Sequence, residues 1–275
     1  MPYYDHIIIG SGADGAAGAY RLTQNGKSIL LLEKGEALLT DGSTLDLTQG
    51  LRLGAFENTE PWRDGKGKRF VPEEYFNLGG KTKWYGAALL RYGEHEFAAD
   101  AAHQCLAWPI GYRDLQPFYD EAETLLGVRR FEVERDLRVI LDRLQLQGGW
   151  RAEPLPLGLS ADILDHPHEA GHFDGFASAA RLKADAQRSL LDRVAGRLTI
   201  ATGRAVTRLL GADGDIRHVI GVGAADGQCF HAGKVLLAAG AMHTPRLLQR
   251  YMETSGLARL LPNYRLVGVI TSATC

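Results

Sequence analysis

Three glycines and one acid open this chain with residues that could do chemistry. Gly10, Gly12 and Gly15 stand in G-x-G-x-x-G spacing directly after Ile7-Ile8-Ile9, and Glu33 follows the next apolar run, Ser28 to Leu32. That spacing suits phosphate binding. Gly10 permits a tight turn off a strand, Gly12 lets a pyrophosphate approach a backbone without Cβ, and Gly15 lets the next helix pack close to the sheet. Free N–H groups at the start of that helix face the phosphates. A carboxylate at the end of the second strand accepts hydrogen bonds from ribose hydroxyls. Together they point to a dinucleotide site. The competing reading is a glycine-rich turn in an α/β protein that binds nothing; strand, helix and acid in that order favour the dinucleotide site over it. Asp14 is the oddity of the turn. It suits the helix dipole and is expected to point to solvent.

The positioning elements follow from pattern. Ile7 to Ile9 reads as a buried parallel strand. Ala13 to Gln24 reads as a helix, stopped by Asn25 and Gly26. Asp114 is the expected N-cap of a helix running to Leu126 and closed by Gly127, with Leu115, Phe118, Tyr119, Ala122 and Leu125 on its apolar face. Helices are also expected over Phe131 to Leu146 and Ala179 to Ala195. In the last third, Leu198 to Ala201 is a short strand. Ala205 to Leu210, Val219 to Gly223 and Gln228 to His231 form a β-meander through Asp-Gly turns. Lys234 to Gly240 is a separate buried strand, and Pro245 sits near the first turn of a closing helix. The fold class is α/β, its parallel sheet begun near Tyr4 and completed from far down the chain.

Composition narrows the function. The 275 residues are 45% hydrophobic and 23% charged, with a net charge of −2, ordinary for a globular protein. Nothing suggests a nucleic-acid partner or an anionic membrane surface. Cys105, Cys229 and Cys275 form no C-x-x-C pair, against a disulfide scaffold or a thiolate metal site. His166, His168 and His172 invite a metal reading, but Pro167 and irregular spacing argue against it. No signal peptide or apolar run approaching membrane-span length is visible, so the cytoplasm is the expected location.

A second glycine pair lies in Phe76 to Arg91, F-N-L-G-G-K-T-K-W-Y-G-A-A-L-L-R, and looks like another place where backbone meets ligand. With it the chain resembles the glucose–methanol–choline oxidoreductases, flavoproteins that oxidise alcohols and sugars. G-S-G-A-D-G resembles their G-S-G-A-G-G, with Asp14 for a glycine. Asn77 to Arg91 resembles their first signature, with Tyr85 where Asn is usual. Trp108-Pro109-Ile110 with Tyr112 and Leu115 to Glu123 resembles a third family stretch. Gly240 to Pro245 resembles the start of the second signature, and Ser255-Gly256-Leu257 its end at longer spacing. The likeness covers about residues 4 to 260.

The resemblance implies FAD, held by Gly10, Ser11, Gly12, Gly15, Glu33, Lys34, Gly79, Gly80, Thr82, Trp84, Tyr85, Val206, Ala239 and Gly240, with Val206 touching the adenine through its backbone. Lys81 to Trp84 occupy the loop near which some relatives attach FAD to a histidine, so a non-covalent flavin is expected. The implied architecture is a Rossmann-like FAD-binding domain, parallel sheet plus meander, with a partial substrate domain. It divides as 1–107, 108–172, 173–262 and a divergent tail, 263–275. The family's catalytic histidine lies in a C-terminal region with no counterpart here, so no catalytic residue is assigned and a truncated form is expected. Residues of about 108 to 172 should then expose apolar surface. The expected partners are a small alcohol or sugar, with self-association or a second chain completing the fold. Two other readings stay open: a flavin-binding module without turnover, and a nicotinamide-binding Rossmann protein.

Overall fold

The computed structural model describes residues 3–150, 152–172 and 174–257. The expected tail, 263–275, lies outside them. In chain order the principal elements are β1 (Tyr3–Ile9), α1 (Ala13–Thr23), β2 (Ile29–Leu32), α2 (Tyr112–Leu126), α3 (Arg135–Leu146), β3 (Thr199–Ala201), β4 (Val206–Ala212), β5 (Asp215–Ala224), β6 (Cys229–Leu237) and α4 (Gly240–Ser255). They fall into two compact units. One takes the chain up to Trp84, Phe176–Ala180 and the chain from Asp185; the other takes Tyr85–Gly175 and Arg181–Ala184. Residues 85–107, grouped with the first domain from sequence, pack with the second unit.

The first unit is built on a six-stranded sheet in the order β3-β2-β1-β6-β5-β4. β1 is flanked in parallel by β2, from His6 opposite Ile29 to Ile9 opposite Leu32, and by β6, from Tyr3 opposite His231 to Ile9 opposite Leu237. β3 extends the parallel part beside β2, and β5 and β4 add antiparallel strands beyond β6. The run of apolar β-branched and leucine residues has its reason in this placement. Ile7, Ile9, Leu30 and Leu32 enter a core with Val222, Leu247 and Tyr251 on one face. Ile8, Ile29 and Leu31 enter another with Ala16, Ala19 and Leu191 on the opposite face. A parallel strand covered on both faces has no polar side to show.

Two expectations are revised here. Gln228–His231 and Lys234–Gly240 are one strand, β6, which pairs antiparallel with β5 through residues 229–231 and parallel with β1 from His231 onward. The expected helix over Ala179 to Ala195 is helical only from Gln187 to Val194. Upstream, Arg181 has φ +60° and Lys183 bridges Leu159 in extended form, so tertiary pairing overrides the helix-forming composition.

In the second unit a small core gathers Ala87, Leu159, Ile163 and Leu182. Helix α2 begins three residues earlier than expected, capped at Gly111, and Asp114 acts from inside by accepting the Gly111 N–H at 2.8 Å. α3 starts at Arg135 rather than Phe131. Neither helix has a buried residue. Phe118 is 58% exposed and Ile140 56%, whereas Leu115, Tyr119, Ala122 and Leu125 are half-buried, so the apolar faces read from sequence are covered only in part.

The glycines of the first turn separate by what surrounds them. A Cβ on Gly15 would lie 1.9 Å from the Gly10 carbonyl oxygen, whereas one on Gly12 meets nothing within 4 Å. Gly15→Ala should therefore lose about 3 kcal/mol in urea unfolding, overpacking against rigid backbone outweighing the ~1 kcal/mol helix-propensity gain. Gly12→Ala should unfold like the parent and lose nucleotide affinity. Equal stability of all three proteins would contradict the close packing of α1 on the sheet.

Candidate cofactor site

The turn after β1 is held by the residue that follows its first glycine. Ser11 is buried, and both its backbone N–H and its hydroxyl donate to Glu33 Oε2, at 2.9 and 2.6 Å. Glu33 Oε1 accepts the Gly35 N–H at 3.0 Å. The same Ser11 hydroxyl accepts the Gly79 N–H at 2.9 Å. Thus the end of β2, the glycine turn and the second glycine loop meet at two side chains. Gly79 and Gly80 both have positive φ, +91° and +56°, and a Cβ on Gly80 would come 3.1 Å from Gly12 Cα. Only glycine allows that turn and that approach together.

The second loop is braced from behind. Thr82 Oγ1 donates to the Gly79 carbonyl at 2.6 Å and accepts the Ala186 N–H at 2.9 Å. Lys83 pairs with Asp185 at 3.2 Å. Trp84 Nε1 donates to Asn77 Oδ1 at 2.8 Å, and its ring stacks on Tyr75 at 4.6 Å.

These elements surround a cavity of about 360 Å³. Of the residues singled out in the sequence, Gly10, Ser11, Gly12, Glu33, Lys34, Gly80, Thr82, Val206, Ala239 and Gly240 line it. Gly15, Gly79 and Trp84 are not among its lining residues and shape it from behind. Tyr85 lies in the second unit, where its hydroxyl donates to the Ala184 carbonyl at 2.8 Å. Asp14 lines the cavity while remaining exposed. Sequence reading missed Glu74, Tyr75, Arg204 and Leu247 in the wall, and it placed Phe76, Lys81, Met242 and His243 in candidate stretches without singling them out. Their signal was position rather than type: each lies a few residues from a glycine loop or a strand end.

The arrangement fits a dinucleotide. Gly12 caps α1 without any side-chain hydrogen bond, so the first-turn N–H groups are left for an anion. The open space at Gly12 faces where a pyrophosphate would approach. Glu33 keeps acceptor capacity beyond its three protein donors, enough for a ribose hydroxyl. Charge near the Lys34 end is balanced. Burial raises the Glu60 carboxyl pKa, but the Lys34 hydrogen bond and charge, with His243 and Arg246, outweigh it and hold the group below the ordinary carboxylate value. Among the described residues no group of three or more His, Cys, Asp or Glu could hold a metal ion, and no helix is long and apolar enough to cross a membrane.

A family model described as FAD dependent oxidoreductase matches residues 5–270. The chain belongs to that family. Its glucose–methanol–choline resemblance stands beside this match. Paromamine 6'-oxidase of Streptomyces fradiae is 36% identical over 132 residues, 46% of this chain and 23% of the relative. Oxygen-dependent choline dehydrogenase of Xanthomonas campestris pv. campestris (strain B100) is 28% identical over 275 residues, 90% of this chain and 48% of the relative. The chain therefore spans about half the length, or less, of these relatives. The crystal structure of pyridoxine 4-oxidase from Mesorbium loti shares the fold, with a TM-score of 0.62 and 18% identity over 90% of this chain and 51% of that one.

Glu33→Ala leaves the Ser11 and Gly35 N–H groups without their acceptor. It should cost about 1–3 kcal/mol in urea unfolding, together with a loss of nucleotide affinity measured by calorimetry. A variant with unchanged stability and affinity would show that the carboxylate holds neither the loop nor the ribose.

Proposed function

We propose that this chain holds FAD without a covalent link and serves an oxidoreductase acting on CH–OH groups of alcohols or sugars. The observation that carries the reading is the contact of two glycine loops through Ser11, with Gly79 donating to the hydroxyl that also binds Glu33. One glycine turn suffices for any Rossmann dinucleotide. A second loop seated on Gly12 extends the backbone surface past the pyrophosphate, which suits a long flavin dinucleotide better than NAD. Lys81, Thr82, Lys83 and Trp84 place no histidine in that loop, which supports a non-covalent cofactor. The relatives named for oxidising paromamine and choline support an alcohol substrate.

Bound FAD would supply hydride acceptance. The chain's own residues bind and orient. Gly12 and the α1 N-terminus take the pyrophosphate, Glu33 the ribose and the Val206 backbone the adenine. Gly80 and Thr82 border the flavin side. No residue is assigned as the base that takes the alcohol proton. Exposed apolar side chains on α2 and α3, Phe118, Leu137 and Ile140 among them, support association with another copy or with a second chain. A flavin-binding module without turnover shares the same cofactor site and differs only in whether the flavin is reduced.

Acid precipitation of the purified protein should leave a yellow supernatant containing FAD. Yellow colour in the pellet would overturn the non-covalent link, and a colourless protein binding only NAD would overturn the cofactor. Anaerobic mixing with primary alcohols and aldoses separates the remaining readings: bleaching supports oxidation by this chain, and its absence supports the module.

A further inference from the structure

A cluster in the cavity wall has no part in the cofactor contacts above. His243, in the first turns of α4, and Glu74, ahead of the Gly79–Gly80 loop, both line the cavity. They lie 169 positions apart in sequence, yet His243 Nε2 sits 3.1 Å from Glu74 Oε2. Their side chains keep only 17% and 10% exposure. The imidazole makes T-shaped contacts with two rings, Trp62 and Phe76, each with its centroid 5.4 Å away. Each ring in turn lies under a cation, Arg246 over Trp62 at 5.1 Å and Lys34 over Phe76 at 3.5 Å. The two ring contacts and the carboxylate on one nitrogen together orient the imidazole.

The topology gives the pair its place. α4 follows β6, whereas the 74–77 segment runs beside the end of β2, with Asn77 bridging Glu36 in parallel. β6 and β2 flank β1 on opposite sides. The crevice outside the carboxyl end of β1 is where a Rossmann sheet takes its dinucleotide. The His243–Glu74 contact therefore joins the two banks of that crevice.

We propose that His243 and Glu74 form a clasp that retains the adenosine diphosphate half of the cofactor and sets its release rate. This rests on the dinucleotide reading of the site, and not on FAD in particular, since FAD and NAD share that half. The two are positioning residues. A contact that joins the banks must part for the ligand to leave, so its loss appears chiefly in dissociation, where most affinity differences within one site lie.

The probe is mant-ADP, displaced by excess ADP in stopped flow from the parent protein, His243→Ala, Glu74→Ala and the double variant. Each single variant should release it roughly tenfold faster, with a smaller change in association, the scale of one lost hydrogen bond to a charged group. The double variant should release it no faster than either single one, because one contact is broken in all three. Isosteric Glu74→Gln guards against misfolding, and its release should be intermediate, a neutral acceptor replacing a charged one. Unchanged release, single effects that multiply in the double variant, or a parent protein with no affinity for mant-ADP would each overturn the clasp. A parent that binds mant-ADP but not FAD would overturn the cofactor reading and leave the clasp to be judged by these same rates.

Discussion

The carboxylate of Glu33 and the hydroxyl of Ser11 form the junction on which the cavity depends. A buried carboxylate without partners is costly, and this one is satisfied by donors from two backbone positions and one hydroxyl. Because the hydroxyl also accepts from Gly79, satisfying one acid fixes three segments at once. The first glycine turn, the end of β2 and the second glycine loop cannot be displaced separately without leaving a buried donor or acceptor unmet.

That junction sits on a sheet able to hold it. β1 is central, parallel to a neighbour on each side, and its side chains enter apolar cores on both faces. β6 serves two roles. Its start belongs to an antiparallel pair with β5, and its remainder completes the parallel crevice. The wall residues Ala239, Gly240 and His243 follow from its end. The second unit is organised differently, with a small core and two helices that bury no residue completely.

Much of the first unit was legible in the sequence because its signals are local. A β-branched run, three spaced glycines and an acid at a strand end each have one good structural use. The Asp-Gly turns of the meander formed where expected, with Gly214 and Gly227 at positive φ. What escaped was set by distant chain. Thr82 reads as a ligand contact, yet its hydroxyl is also committed to Gly79 and Ala186. Tyr85, next in sequence to the cavity loop, turns to Ala184 instead. The expected helix before Gln187 yields to a bridge with Leu159. No local pattern could join His243 to Glu74, since neither position has a periodicity or spacing that points to the other.

The central claim is that the cavity built on Ser11, Glu33 and Gly79 is a site for a flavin dinucleotide. Calorimetric titration of the apoprotein with FAD and with NAD, side by side, tests it most directly. FAD should bind saturably and at least about a hundredfold more tightly than NAD. NAD binding as tightly as FAD, or more tightly, would contradict it.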